Sequence, residues 1–238
     1  MPILDGSNSV SGTSVANVTT PAWTAAGNNR LLLAGMGWGG LPVDYSAIRW
    51  GGAGGTLLTQ LGSTLETDDN AIRGAVASLV APATGSQTLY GEVSGLADEI
   101  CVGGATWTDV AQAMPPPPAT AIGISTAPLV SAFCPADGIV VDMMFCFDGD
   151  PTPTSDASQT LLWDEFIDTI EYGAQSYRAG VGTTPMSWTT ANDDWLIFAV
   201  SLVPPRANAR LRPSIVSALI EGTNDGTLKS EVNIKAWY

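Results

Sequence analysis

Apolar residues in this chain come in short runs bounded by glycine, proline and asparagine. No run carries the i, i+3, i+4 spacing of a long amphipathic helix. The longest run fills residues 195–203, between Asp194 and the Pro204-Pro205 pair. Its nine residues are too few to cross a bilayer and short for a helix, and its aromatic and branched side chains suit a pleated, buried surface. Leu196, Phe198, Val200 and Leu202 point one way, while Trp195, Ile197, Ala199, Ser201 and Val203 point the other. The first set is heavier and is expected to face the core. The prolines cannot donate to a ladder and end the strand. The run predicts the last central strand of a β-sandwich. Its expected neighbour is residues 30–38, because early and late strands often lie side by side in jelly-roll or lectin-like sandwiches.

The rest of the chain follows the same rhythm. Residues 1–29 are polar, with Val10, Val15 and Val18 spaced as in an edge strand, and form an expected N-terminal arm that closes on a Gly27-Asn28-Asn29 turn. A short strand is expected at 48–50, followed by a glycine cluster at 51–55. That cluster lacks a P-loop lysine and reads as a turn or bulge. Further strands are expected at 57–65, 71–80, 87–93, 100–107, 138–147, 160–166, 174–181 and 186–189, with a short helical turn at 109–114. Residues 138–147 read as a second central strand, and Pro115–Pro118 as a rigid polyproline loop crossing the sandwich end. Regularly spaced runs with turns between them predict an all-β fold. The expected form is an antiparallel jelly-roll β-sandwich over residues 1–204, followed by a linker and C-terminal β-hairpin arm over 205–238. The hairpin turns at Asp225-Gly226. A lone hairpin is marginal in water, so the arm is expected to pack on the body, on a neighbouring copy or on another protein.

Charge changes this picture. Charged residues are 13% of the 238, about half the usual fraction. A surface this sparse in charge is either covered by neighbouring subunits or belongs to an exposed virion or extracellular protein. Up to Pro204, four arginines and no lysine stand against twenty of the 23 acids, a net charge of −16. From Pro205 onward, five bases against three acids give +2. An acidic body is repelled by nucleic acid, so no nucleic-acid partner is expected. The cationic arm is the expected docking or oligomerising element, through Arg206, Arg210, Arg212, Ile215, Val216, Leu219, Ile234, Trp237 and Tyr238.

Candidate chemistry is thin. With no histidine, histidine-based catalysis is excluded and a zinc site is not expected. Cys101, Cys134 and Cys146 follow neither a metal nor a disulfide pattern and are expected as small buried hydrophobes. Neither a signal peptide nor a membrane span is legible, so synthesis in a host cytoplasm is expected. Glu165, Asp168 and Glu171 bring to mind the paired acids of lectin-fold glycosidases. Those enzymes set their acids at alternate positions of one strand, whereas a spacing of three puts neighbours on opposite faces. They are expected as solvated acids, with no catalytic residues and no enzyme activity. Asp148, Asp150 and Asp156, and separately Asp193 with Asp194, are calcium candidates, although the EF-hand order is absent. No other cofactor is expected. Trp23, Trp38 and Trp107 are candidates for stacking on a glycan if exposed, although tryptophans in a sandwich more often anchor cores.

One set of motifs, in order, carries a resemblance. It comprises Asn29-Arg30-Leu31-Leu32-Leu33, Trp50-Gly51-Gly52, the segment 79–88, Gly138-Ile139-Val140-Val141-Asp142, Met186-Ser187-Trp188 and the 195–204 strand. Over roughly residues 28–204 the chain resembles jelly-roll, concanavalin-like β-sandwich domains of phage virion proteins. The resemblance implies a structural virion protein. Its expected role is a capsid decoration or cement subunit, or a related surface component of a bacteriophage particle. The implied partners are other virion proteins, such as the major capsid protein, and further copies of itself. The alternative is a host-recognition or glycan-binding module of a tail fibre or spike. It implies no catalytic residues and leaves the arm unexplained.

Overall fold

Every strand pair among the described residues of the computed structural model is antiparallel. The structure describes residues 1–40, 42–67, 72–147, 152–167 and 171–205. The first half of the chain forms β1 (Ile3–Thr19), β2 (Trp23–Ala25), β3 (Leu31–Gly39), β4 (Tyr45–Trp50), β5 (Thr56–Leu57), β6 (Thr59–Gln60), β7 (Leu65–Glu66), β8 (Ile72–Val80), β9 (Gly85–Gln87) and β10 (Leu89–Thr108). The second half forms β11 (Ala119–Ser125), β12 (Leu129–Cys134), β13 (Ile139–Cys146), β14 (Thr154–Ser155), β15 (Thr160–Ile167), β16 (Glu171–Ala179), β17 (Gly182–Thr189) and β18 (Asp193–Leu202). Among the described residues no helix is long and apolar enough to cross a membrane.

Each half builds its own sheets. The first makes an eight-stranded sheet in the order β5-β4-β10-β3-β8-β6, with β1 along β10 and β7 beside β8, plus the small pair β2-β9. The second makes a five-stranded sheet, β11-β18-β13-β16-β15, and a three-stranded sheet, β12-β17-β14. The proline segment 115–118 lies between the two halves.

The large sheet is bent back on itself. β3 pairs with the second part of β10 and β4 with the first. A β-carbon built on Gly104 would lie 3.3 Å from Leu89 Cδ2, although fifteen residues of straight strand span about 50 Å. The bend falls where both long strands slip register, at Val15/Asn17 in β1 and Glu92/Val93 in β10. The Leu58 amide donates to the Ile48 carbonyl (2.9 Å) and the Leu61 amide to the Val76 carbonyl (2.8 Å). The segment 56–61 thus bridges β4 to β8 and makes a near-closed barrel. Its interior holds Leu32, Met36, Trp38, Ile48, Trp50 and Val102.

The five-stranded sheet is a middle layer. One face (Val141, Phe145, Leu196, Phe198, Val200) packs on the outer wall of the barrel through Leu31, Leu33, Val76 and Trp107. The other (Val140, Met144, Trp195, Ile197, Ala199) packs on Val130, Cys134, Met186 and Trp188 of the three-stranded sheet. The 195–203 run is apolar on both sides because both are covered. At the centre, the Phe145 ring sits over three glycines from three strands. A β-carbon on Gly37 would enter its van der Waals envelope, and those on Gly173 and Gly74 would lie 3.0 and 3.3 Å from the ring. Glycine is needed there for close approach of the layers.

Four expectations are corrected. The strand at 193–202 does not pair with residues 31–39. β3 lies between β10 and β8, and β18 between β11 and β13, so the two face each other across the core. Both edges of each are already taken by strands of its own chain half. Residues 87–93 and 100–107 are parts of one twenty-residue strand, held continuous by pairing with β1. Residues 109–114 form bends, not a helical turn. The 57–65 strand is three two-residue pieces that serve β4 and β8 in turn. Strands β11 and β12 were not expected. The segment 206–238, with the expected hairpin and all nine interface residues, lies outside the described residues.

Candidate functional site

The carboxylates come first, because the structure moves them. Glu165 lies opposite Gly173, and Ile167 opposite Glu171. Directly paired residues share a face, so Glu165 and Glu171 project to the same side, toward β10 and β1. The opposite-face expectation concerned neighbours three apart, and both such pairs include Asp168, which lies outside the described residues. Glu165 is half-buried and accepts hydrogen bonds from the Ser9 hydroxyl (2.7 Å) and the Ser11 hydroxyl (3.2 Å). Glu171 is 1% exposed, and its Oε1 has no hydrogen-bond partner among the described residues. Burial, reinforced by the charges of Glu99 and Asp98, pushes its pKa up to about 9, so it is protonated at neutral pH. These are not solvated acids.

A glycosidase needs two carboxyl groups flanking a sugar-sized cleft. The two best-formed clefts among the described residues hold about 110 and 100 Å³, against roughly 300 Å³ for a small-molecule site. Neither is lined by Glu165 or Glu171. Asp168 lies outside the described residues.

Of the calcium candidates, Asp148 and Asp150 lie outside the described residues. Asp156 is exposed and accepts hydrogen bonds from the Ser158 amide (2.9 Å) and the Ser158 hydroxyl. These bonds hold its carboxyl below the usual range and mark a turn-capping role. Asp193 accepts from the amide of Asp194 at 2.7 Å. Among the described residues no group of three acids or cysteines is placed to hold a metal ion.

The tryptophan candidates are corrected outright. Trp23, Trp38 and Trp107 are buried, as are the other four described tryptophans. Trp38 donates to the Val43 carbonyl (3.0 Å), and Trp23 packs edge-on against Trp50. None offers a face to a sugar. The three cysteines are buried, as expected.

A site the sequence reading missed is Asp142, in the middle of β13 and fully buried. Its Oδ1 accepts from the Ser176 amide (3.0 Å) and hydroxyl (2.6 Å). Its Oδ2 accepts from Trp188 Nε1 (2.7 Å) and Gln159 Nε2 (3.4 Å). Gln159 in turn accepts the Ser187 amide at 2.7 Å. Burial raises the Asp142 pKa to about 6 against the pull of these donors. The network locks the middle layer to the outer one and points at no solvent. An acid inside Ile139-Val140-Val141-Asp142-Met143-Met144 is itself the signal, because such a charge needs dedicated partners. Asp142→Asn places an amide N–H₂ among four donors and leaves one unpaired. The expected cost is about 1–3 kcal/mol in urea unfolding at pH 7.5.

The remaining feature is a surface. Residues 110–136 contain no charged side chain, and neither do residues 179–192. They supply β11, the edge of the middle sheet, and β12 and β17 of the outer sheet. Outward from the outer sheet stand Leu129 (52% exposed) and Phe133 (75%), with Val181 (63%) just before β17, whereas Ile124, opposite Asp194 on β11, lies on another face. In a chain of net charge −14, this exposed apolar area free of carboxylates is the best candidate for a macromolecular contact.

No protein-family model, no curated protein and no solved structure matches this chain.

Proposed function

We propose that this protein is a structural component of a bacteriophage particle, a capsid decoration or cement subunit or a related surface element. In this reading the body is a jelly-roll type of sandwich, elaborated by the barrel and the third layer, and the C-terminal arm attaches it to other virion proteins. The observation that carries the reading is the exposed, charge-free outer surface on a strongly acidic body whose two best-formed clefts among the described residues are small. Such a body offers little to a small substrate and much to a neighbouring subunit. The order of sequence motifs supports the phage assignment. The reading as a glycan-binding module of a tail fibre loses the aromatic platform it needed, since the described tryptophans are buried.

The test is incorporation. Full-length protein is expected to co-sediment with purified particles. A chain ending at Pro205 is expected to stay folded, since residues 1–205 supply three core clusters of their own, and to be lost from particles. Undiminished incorporation of the shortened chain would refute attachment through the arm.

A further inference from the structure

We infer that the outer face of β12 and β17 is a self-association interface that takes a second copy of this chain. The inference deepens the structural-subunit reading and rests on it only for its biological setting. The face is fixed by register. Leu129, Ser131 and Phe133 lie opposite Ser187, Pro185 and Thr183, so all six share one side. The alternate residues Val130, Ala132, Cys134 and Met186 are committed to the core beneath. A one-residue slip would expose that core, so the outward set is held rigidly. Phe133 and Val181 stand at one end of the face and Leu129 at the other.

Charge selects the occupant. Each body carries −16 up to Pro204, so two copies repel wherever carboxylates meet. They can close only through a surface without them, and both segments that build this face are free of charge. Among the described residues the nearest charged groups sit at the rim. Arg178 donates to the Pro185 carbonyl at 3.0 Å, Asp156 donates its amide to the Ser187 carbonyl at 3.0 Å, and Asp137 follows β12. A two-fold contact repeats one patch on both copies, so a rim of both signs lets Arg178 of one copy face an acid of the other. A basic partner would instead be drawn to the carboxylates elsewhere on the body. A nucleic acid would need cationic groups, and Leu129, Ser131, Phe133, Thr183, Pro185 and Ser187 supply none. The chemistry that matches an uncharged face bearing Phe133 and Leu129 is the same face of another copy.

Sedimentation velocity on the full-length protein tests this. Dimers are expected at micromolar concentration in 150 mM salt, persisting or strengthening at 0.5 M as the acidic bodies are screened. Phe133→Asp is expected to weaken association at least roughly 30-fold, the loss of the face's one aromatic anchor. Because Phe133 is 75% exposed, that variant keeps its fold. Ile124→Asp, on β11, is expected to leave the dimer intact. Ser131→Cys is expected to give a crosslinked dimer under mild oxidant, and Phe133→Asp to suppress that crosslink. A wild-type protein monomeric at about 100 μM, or a dimer unaffected by Phe133→Asp, would overturn the inference. Failure to incorporate into particles with dimerisation intact would count against the proposed function and leave this interface standing.

Discussion

Glu171→Gln is expected to stabilise the protein at pH 8 by on the order of 4 kcal/mol, seen as a rise of about 10 °C in melting temperature. The carboxyl is 1% exposed, its Oε1 has no partner among the described residues, and Glu99 and Asp98 oppose its ionisation. In the unfolded chain it titrates near 4.5, and in the folded chain near 9. A raised folded-state pKa means that the group's contribution is fully present below pH 4.5 and is lost progressively as pH rises to 9. Wild-type stability should therefore fall across that window. Glutamine, neutral at every pH, removes this part of the slope, so the two proteins converge near pH 4 and diverge above it. Asp142 adds a smaller dependence of the same sign between 3.8 and about 6, which remains in the variant. Urea midpoints at four pH values from 4 to 9 decide the matter. Parallel profiles for the two proteins would show that Glu171 is ionised in the fold.

Phe145→Ala should cost about 3–5 kcal/mol, the range for emptying a fully buried aromatic site. Its specific signature is coupling to the glycines beneath the ring. Gly37→Ala alone drives a methyl group into Phe145 and should cost about 1–3 kcal/mol. In the Phe145→Ala background the same methyl enters space the ring has left, and the substitution should become neutral or favourable. A double-mutant cycle is expected to give a coupling of at least about 1 kcal/mol. Strict additivity would mean that the barrel wall and middle sheet do not meet at this residue.

Much of the strand content was legible, and the reason is local. The runs at 138–147 and 193–202 announce themselves by composition, and the glycine, proline and asparagine clusters mark where they end. The body's acidity, the absence of histidine and the inert cysteines also needed no coordinates. Strands β11 and β12 were overlooked although both alternate cleanly between covered and exposed residues. Their alanines, glycine and serines carry the pattern too weakly against a proline-rich surround. The candidate site was less legible still. Glu171 looked wet in sequence, yet it is buried against residues more than seventy positions away.

Sequence alone determined that this chain is all-β, acidic in its body and cationic at its end, because alternation, turn chemistry and charge belong to consecutive residues. Tertiary structure decided what lies beside what. It closed the first half into a near-barrel, set residues 31–39 across from 193–202 rather than alongside, and placed three glycines under one phenylalanine. It also turned every described tryptophan inward and left Phe133 outside. Those outcomes depend on which distant strands occupy each edge and cover each face, and no window of neighbouring residues carries that information.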